Sequence, residues 1–287
     1  MTLTHEEWSA RQTTTTLAVD GHDLPVAYYE AGADNDGPPV VFLHGIPTWS
    51  YLWRPVAPAL AADRHVVVPD LLGYGNSAMA DGFDRSIRAQ EAMVDALLDS
   101  LGTDTASLVA HDIGGGTALR LAAHQPDRID RLVLSNAACY DSWPVEFIHG
   151  LGLPGMADEL ADDETLEEKL SFVFDSGLYG DPDDHAEFCE GMRAPWQPAE
   201  ARVSLVRTAI ATNTSHTTEL DYGAVSAETL LLWGADDVLQ SLDYAQRLQE
   251  DLGGQTDLVP LEEAYHWVVE DRPDAYREHV VDFLRTP

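Results

Sequence analysis

Residues 107–123 read SLVAHDIGGGTALRLAA, which combines a short apolar strand, a polar turn with three consecutive glycines, and a helix. Asp112 stands in that turn, with the small residues Ala110 and Gly114 on either side. Small neighbours let one residue occupy a strained strand-to-helix turn with its side chain pointing into a cleft, which is the geometry of a nucleophile elbow. The pattern predicts that Asp112 is a carboxylate nucleophile, in the position that a serine usually holds.

The same residues allow two other interpretations. Three glycines at the start of a helix can cradle a phosphate, but neither a G-x-G-x-x-G pattern nor a Lys-Ser/Thr pair follows them. An aspartate at a strand-to-helix junction also commonly serves as the N-cap of the helix. The rest of the sequence favours the nucleophile over the cap.

Candidates for the two other members of a catalytic triad lie near the C-terminus. Residues 230–237 read LLLWGADD, so Asp236 and Asp237 come just after an apolar strand, and His266 comes after the next one. The order Asp112, Asp237, His266 is the chain order nucleophile, acid, base of an α/β-hydrolase triad. Asp236 is the second choice for the acid.

A candidate oxyanion hole lies nearer the N-terminus. Residues 40–60 read VVFLHGIPTWSYLWRPVAPAL, in which a strand runs into a turn at 44–47. We expect the backbone amide of Ile46 in this turn to pair with that of Ile113 and bind a developing oxyanion. The Gly and Pro of the segment are equally consistent with a turn that has no catalytic role.

The whole chain alternates short β-branched runs with longer amphipathic segments, which predicts an α/β fold with a largely parallel sheet. The predicted strands are 13–19, 24–30, 39–43, 65–69, 107–111, 131–135, 229–233 and 256–259. The predicted helices are 86–101, 117–124, 241–252 and 274–284.

Residues 141–222 interrupt this alternation, because they lack strand-like runs and are rich in Gly, Pro, acidic and aromatic residues. A connection of this length is far longer than usual. We interpret it as a helical lid inserted after the sixth strand, with the α/β core formed by 1–140 and 223–287. The alternative is a plain surface excursion.

The charge of the chain is strongly negative. It has 287 residues with 16 Lys and Arg and 50 Asp and Glu, so its formal net charge is −34. An apolar fraction of 45% indicates a folded globular protein and excludes disorder and collagen, while the charge disfavours binding to nucleic acid or anionic membranes. Lys169 is the single lysine, and the acidic residues are spread along the chain. We interpret this surface as that of a halophile's protein, the alternative being an acidic protein of a mesophile.

Other sequence features concern the compartment and the assembly. Cys139 and Cys189 are too few for a disulfide framework and have no zinc-ligand spacing, which favours two buried reduced thiols. The first residues carry acids where a secretory signal would carry positive charge, and no apolar run approaches a membrane span. We therefore expect a cytoplasmic protein. The sequence is compatible with both a monomer and a homo-oligomer.

Several segments resemble members of the α/β-hydrolase superfamily. HGIPTWSYLWR (44–54) is similar to the corresponding segment of haloalkane dehalogenases, and AHDIGGG (110–116) resembles the aspartate elbow that they share with epoxide hydrolases. VVPDLLGYGNS (67–77) also resembles a segment common to both groups. The resemblance covers essentially the whole chain and implies an eight-stranded, mostly parallel sheet flanked by helices, with a helical lid after the sixth strand. The family pattern G-x-x-D maps onto Gly234 and Asp237.

The chain departs from the dehalogenase pattern at the leaving group. Haloalkane dehalogenases hold the halide with a tryptophan after the nucleophile and with a second donor, whereas Ile113 and Ile46 occupy two of these positions and lack side-chain donors. Epoxide hydrolases instead protonate the opening oxygen from the lid. The candidates to contact the substrate or leaving group are Tyr140, Trp143, Tyr179 and Trp196, and the further candidates to protonate an epoxide are Tyr222, His149, His185 and His216.

A carboxylate nucleophile predicts a cofactor-free reaction with a small apolar organic substrate and water. Asp112 attacks an sp³ carbon and forms an alkyl ester, His266 then activates water, and Asp237 orients His266. Neither a metal nor an organic cofactor has a role in it. Some dehalogenases carry the acid after the sixth strand, where Asn136 and Asp141 stand here. We expect dehalogenation first, with epoxide hydrolysis, ester or C–C hydrolysis, and a non-catalytic small-ligand binder as alternatives.

Overall fold

A computed structural model describes residues 3–285, and within that range the chain forms one eight-stranded sheet. The strands are β1 (Gln12–Val19), β2 (His22–Ala31), β3 (Val40–Leu43), β4 (Val66–Pro69), β5 (Ala106–His111), β6 (Ile129–Ser135), β7 (Glu228–Gly234) and β8 (Thr256–Leu261). Their order across the sheet is β1-β2-β4-β3-β5-β6-β7-β8. β2 is antiparallel to both of its neighbours, and all other neighbours are parallel. The predicted strands are confirmed, with ends that differ by at most two residues.

Helices cover the sheet and connect its strands. The α-helices are α1 (His5–Ser9), α2 (Ala57–Leu60), α3 (Ile87–Ser100), α4 (Ile113–His124), α5 (Glu146–Leu151), α6 (Met156–Glu159), α7 (Asp163–Ser176), α8 (Ala186–Arg193), α9 (Ala199–Ile210), α10 (Ser215–Thr218), α11 (Leu242–Asp251), α12 (Val268–Asp271) and α13 (Pro273–Arg285). Short 3₁₀ helices lie at Ser50–Trp53, Pro126–Arg128, Pro182–His185, Ala194–Trp196 and Tyr222–Ala224. No helix of the described range is long and apolar enough to cross a lipid bilayer.

The central strands are buried along their whole length because both faces of the sheet are covered. Every residue of β3, β4 and β5 is buried, whereas the edge strands β1 and β8 are partly exposed. This is the pattern of a parallel sheet between two layers of helices. The carboxyl ends of the parallel strands meet at one edge, which is where open α/β sheets hold their ligands.

The insertion between β6 and β7 is helical, and it packs over that edge through buried indole groups. The Trp196 Nε1 donates to the carbonyl oxygen of Pro47 at 2.8 Å, and Trp49 Nε1 donates to that of Gly191 at 2.9 Å. Both bonds join the insertion to the turn after β3. The predicted helical lid after the sixth strand therefore has its counterpart in α5–α10.

Helix α4 begins four residues earlier than the sequence predicted. The glycines expected in a polar turn form its first turn, because the helix lies too close to the sheet for side chains. A Cβ at Gly114 would lie 2.5 Å from the His44 carbonyl oxygen, and one at Gly115 would lie 2.3 Å from Ala137 Cβ. The three glycines thus let α4 pack directly on the strand ends. Cys139 and Cys189 are both buried free thiols, as predicted.

Candidate active site

Asp112 occupies a strained backbone conformation at the junction of β5 and α4. Its φ of 52° and ψ of −123° lie in a region that residues other than glycine rarely adopt. Asp112 holds the N-cap position of α4, but its side chain makes no capping hydrogen bond. A Cβ at Gly45 would lie 2.4 Å from Asp112 Cβ, so the turn after β3 needs glycine to accommodate this aspartate. The carboxylate is buried and does not act as a side-chain N-cap of α4.

The amide of Ile46 contacts the nucleophile candidate directly. Ile46 N donates to Asp112 Oδ1 at 2.9 Å, and the amide of Ile113 also hydrogen bonds to this carboxylate. His44 fixes the turn that carries Ile46, because its Nδ1 donates to the Gly45 carbonyl oxygen and its Nε2 accepts from Leu71 N. Both predicted oxyanion amides therefore point at one carboxylate.

The three predicted triad residues lie together. His266 Nδ1 is 2.9 Å from Asp237 Oδ2, and His266 Nε2 is 3.7 Å from Asp112 Oδ2. The first distance is a hydrogen bond, and the second leaves Oδ2 without a direct bond to the imidazole. Asp236, the second choice for the acid, and Asp141 are both exposed.

Asn136 follows β6 and binds the triad acid instead of replacing it. Its Nδ2 donates to Asp237 Oδ2 at 2.6 Å, and its Oδ1 accepts from Gly234 N at 3.2 Å. Leu239 N donates to the other oxygen, Asp237 Oδ1, at 2.7 Å. Asp237 is therefore held at both oxygens. The sequence singled out Asn136 only as an alternative to the acid, although its place at the end of β6 was the signal for a contact with β7.

Burial and charge act against each other in this cluster. Burial lowers the pKa of His266, but the carboxylates of Asp237 and Asp112 outweigh it and raise the pKa overall. Burial raises the pKa of the Asp112 carboxyl, while His266 and the Ile46 amide act in the opposite direction. His44 is buried without a carboxylate beside it, and burial lowers its pKa to about 3. His44 is therefore a neutral structural residue, whereas His266 is poised to hold a proton.

A small cavity of ≈ 40 Å³ lies between these residues and the helical insertion. Asp112, Ile46 and His266 form its floor, and apolar side chains from the insertion, including those of Phe147 and Phe172, line most of the rest. Phe172 is 60% exposed and pairs with Phe147 at 5.8 Å between ring centroids, so these two rings stand where the cavity meets the surface. The cavity suits a small apolar molecule.

Trp143 is the lid candidate that the structure brings to the nucleophile. It lines the cavity with Asp112, is 2% exposed, and its Nε1 has no hydrogen-bond partner in the described part of the chain. A buried N–H without a partner is uncommon in proteins. Trp143 is thus a residue of the cavity wall whose donor is unpaired.

The other three lid candidates lie away from the cavity. The Trp196 indole N–H is used on Pro47, the Tyr140 hydroxyl donates to Asp251 Oδ2 at 2.9 Å, and Tyr179 is 38% exposed against Tyr265. None of them lines the Asp112 cavity, and the same holds for Tyr222, His149, His185 and His216. Among residues 3–285, no group of three His, Cys, Asp or Glu side chains is arranged to hold a metal ion.

Asp271 connects the insertion to the loop that carries His266. Its Oδ1 accepts from Tyr179 N at 3.0 Å, and its Oδ2 accepts from Tyr265 N at 2.8 Å. Burial raises the pKa of Asp271 to about 6 against these two hydrogen bonds. One carboxylate therefore joins the backbone of the insertion, at Tyr179, to that of the loop at Tyr265, the residue immediately before His266.

The chain is similar in sequence to known hydrolases. Residues 38–174 match the family model of the alpha/beta hydrolase fold. The 2-hydroxy-6-oxo-6-phenylhexa-2,4-dienoate hydrolase of Comamonas testosteroni is 28% identical over 277 residues, which are 93% of each chain. A haloalkane dehalogenase of Mesorhizobium japonicum is 33% identical over 195 residues, covering 64% of this chain and 60% of that protein.

The fold is also similar to those of solved structures over nearly the full length of the chain. The crystal structure of a haloalkane dehalogenase from Bradyrhizobium elkani superposes with a TM-score of 0.78 at 27% identity, covering 95% of this chain and 97% of that one. An alpha/beta hydrolase fold protein from Burkholderia ambifaria superposes with a TM-score of 0.81 at 26% identity, covering 93% and 97%.

Proposed function

We propose that this chain, a hydrolase of the α/β-hydrolase fold that resembles haloalkane dehalogenases, hydrolyses carbon–halogen bonds in small, largely apolar organic molecules. The observation that carries the proposal is the buried Asp112 carboxylate, with one oxygen on the Ile46 amide and the other facing His266. Asp112 is the nucleophile, His266 the base and Asp237 the acid of the triad. The reaction uses water and no cofactor.

In the first step, Asp112 Oδ2 attacks the carbon that bears the halogen. The carbon–halogen bond breaks, the halide leaves with the bonding electrons, and an alkyl ester forms on Asp112. The departing halide needs a hydrogen-bond donor, and the side chains of Ile46 and Ile113 supply none. The free Trp143 Nε1 supplies it from the cavity wall.

In the second step, His266 takes a proton from water, and the resulting hydroxide attacks the Cγ of Asp112. The bond between Cγ and the alkyl-bearing oxygen then breaks, the alcohol leaves with the proton from His266, and the Asp112 carboxylate is restored. Ester formation removes the negative charge of Asp112, one of the two carboxylates that raise the pKa of His266. His266 therefore loses its own proton more readily at this stage and becomes available as the base. The amides of Ile46 and Ile113 stabilise the negative charge that develops on Oδ1. Both amides contact this carboxylate before the reaction starts.

Asp237 and the insertion have supporting roles. Asp237 keeps Nε2 of His266 directed at the ester and stabilises the imidazolium, and Asn136 holds Asp237 in place. Residues 141–222 act as the lid, because their apolar side chains exclude bulk water from the nucleophile.

The alternatives find less support in the cavity. Epoxide opening produces an alkoxide that must be protonated from the lid, and no tyrosine or lid histidine lines the cavity of Asp112 within the described range. Ester or C–C hydrolysis would require Asp112 to attack a carbonyl carbon and form an anhydride, a less favourable intermediate than an alkyl ester. Dehalogenation needs only the donor that Trp143 offers.

The test is to trap the ester. His266→Ala, prepared in about 2 M KCl to screen the surface charge, is incubated with 1-bromobutane or with 1,2-epoxybutane, and its intact mass is measured. We expect the bromide to add one butyl group, which a peptide digest places on Asp112, and the double variant with Asp112→Asn to gain no mass. An adduct from the epoxide alone would transfer the assignment to epoxide hydrolysis. Absence of both adducts would overturn Asp112 as the nucleophile for these substrates.

A further inference from the structure

Gln240 places an unpaired acceptor in the wall of the Asp112 cavity. It lies three residues after the triad acid, is fully buried, and lines the cavity together with Asp112 and Trp143. Its backbone is fixed, because its carbonyl oxygen accepts from Trp233 Nε1 at 2.7 Å. Its Oε1 has no hydrogen-bond partner among residues 3–285. The dehalogenation steps above make no use of this side chain.

The orientation of the amide is set by its neighbour. Gln240 Nε2 faces the carbonyl oxygen of Ser142 at 3.4 Å, and a carbonyl oxygen can only accept a hydrogen bond. Rotating the amide by half a turn would set two acceptors against each other. Oε1 is therefore the atom that is left for an occupant of the cavity, and that occupant must donate to it.

The remaining surroundings restrict the donor. Most of the cavity lining is apolar, for example Phe147, Val173 and Leu239. A carboxylate or phosphate on the substrate could not donate to Oε1 and would also be repelled by a chain of net charge −34. A neutral O–H group satisfies the acceptor and leaves the rest of the molecule to apolar contacts.

We propose that Gln240 Oε1 accepts a hydrogen bond from a hydroxyl group of the substrate, so that the preferred substrates are short halogenated alcohols and not plain haloalkanes. This inference rests on the proposed dehalogenation for the halogen, but the hydroxyl site itself does not depend on the reaction. A haloalkane in the same position leaves Oε1 buried and unpaired, and a site built for a hydroxyl discriminates against such an analogue by about tenfold or more.

The experiment compares two bromides of nearly equal size, 4-bromobutan-1-ol and 1-bromopentane. The ratio of their kcat/KM values, alcohol over alkane, is measured for the native protein and for Gln240→Leu, which keeps the size of the side chain. We expect the substitution to lower the ratio by at least about tenfold. Ser176→Ala is the matched control, because the Ser176 hydroxyl lies beside the same cavity but donates to the Phe172 carbonyl oxygen. This control should leave the ratio unchanged.

A binding assay separates this inference from the reaction. Asp112→Asn removes the nucleophile, and the Kd values of both bromides are measured by tryptophan fluorescence with and without the additional Gln240→Leu change. If the native protein releases no bromide from either compound but Gln240→Leu still raises the ratio of Kd values, alcohol over alkane, about tenfold, the hydroxyl site stands and dehalogenation fails. If bromide is released but Gln240→Leu changes neither ratio, the inference is overturned and Oε1 binds only water. Absence of both turnover and a change in the Kd ratio overturns it as well.

Discussion

Replacing Trp143 or Trp196 with phenylalanine tests two different roles of a lid tryptophan. We expect Trp143 to bind the departing halide and Trp196 to hold the lid on the core. Both side chains are at most 2% exposed, and both changes remove the same ring atoms and the same N–H group. The difference lies in the hydrogen bond, because Trp196 Nε1 donates to the Pro47 carbonyl oxygen at 2.8 Å whereas Trp143 Nε1 has no partner in the described chain. Comparing the two variants therefore cancels most of the cost of shrinking the ring.

The expected magnitudes follow from that one bond. Trp196→Phe leaves the buried Pro47 carbonyl oxygen unpaired, which costs about 1–3 kcal/mol in the free energy of unfolding beyond the cost for Trp143→Phe. Trp143→Phe removes the donor to the departing halide, and a hydrogen bond to a charged group contributes about 1.5–3 kcal/mol. The kcat/KM for a bromoalkane should therefore fall about 10- to 150-fold in Trp143→Phe, and less in Trp196→Phe.

Urea denaturation in a fixed high concentration of KCl measures the stabilities, and bromide release measures the activities. Opposite rankings in the two assays are expected, with Trp143→Phe the more stable variant and the less active one. The reasoning is refuted if Trp143→Phe releases bromide at the native rate. It is equally refuted if Trp143→Phe loses as much stability as Trp196→Phe, because its N–H would then have a partner in the folded protein.

Asn136→Ala removes one of the two donors to Asp237 Oδ2, the other being His266 Nδ1, so we expect hydrolysis of the ester to slow by about tenfold while alkylation of Asp112 is less affected. Rapid-quench mass measurements should then show the alkyl-enzyme accumulating, and unchanged rates for both steps would contradict the role of Asn136. Acid should destabilise the fold through His44, because the unfolded chain binds a proton near pH 6.5 whereas the folded chain, with a His44 pKa of about 3, does not. Stability therefore falls as the pH drops below 6.5, by about 2 kcal/mol from this residue between pH 8 and pH 5, and His44→Asn should show a correspondingly smaller loss in urea denaturation; equal losses would disprove the assignment. Stability should also rise with KCl, because salt screens the repulsion within a chain of net charge −34, and equal melting temperatures in 0.1 M and about 2 M KCl would contradict this.

The sequence was sufficient for the features that depend on local pattern and chain order. The strands were indicated by short β-branched runs. The glycines beside Asp112 indicated a strained junction that the structure contains. The order of Asp112, Asp237 and His266 predicted a cluster because parallel strands end at one edge of the sheet. The start of α4 was misplaced since glycines favour turns in general, and only the closeness of the sheet explains why they are helical here.

The parts that could not be predicted depend on which way a side chain faces. The sequence does not distinguish Trp143 from Trp196. In the structure one indole N–H donates to a carbonyl oxygen, whereas the other has no partner in the described chain. Gln240 gave no signal at all, because its importance comes from an amide whose orientation is set by Ser142. Such information arises from tertiary packing and has no periodicity in the sequence.

The Asp271 carboxylate couples movement of the insertion to the position of the catalytic base. Its two oxygens hold Tyr179 in the insertion and Tyr265 beside His266. A movement that lifts the insertion must therefore either break the bond to Tyr179 or pull on the peptide next to His266. Opening of the insertion therefore loosens the loop that positions His266. The imidazole is held most firmly when the insertion covers the site and excludes water.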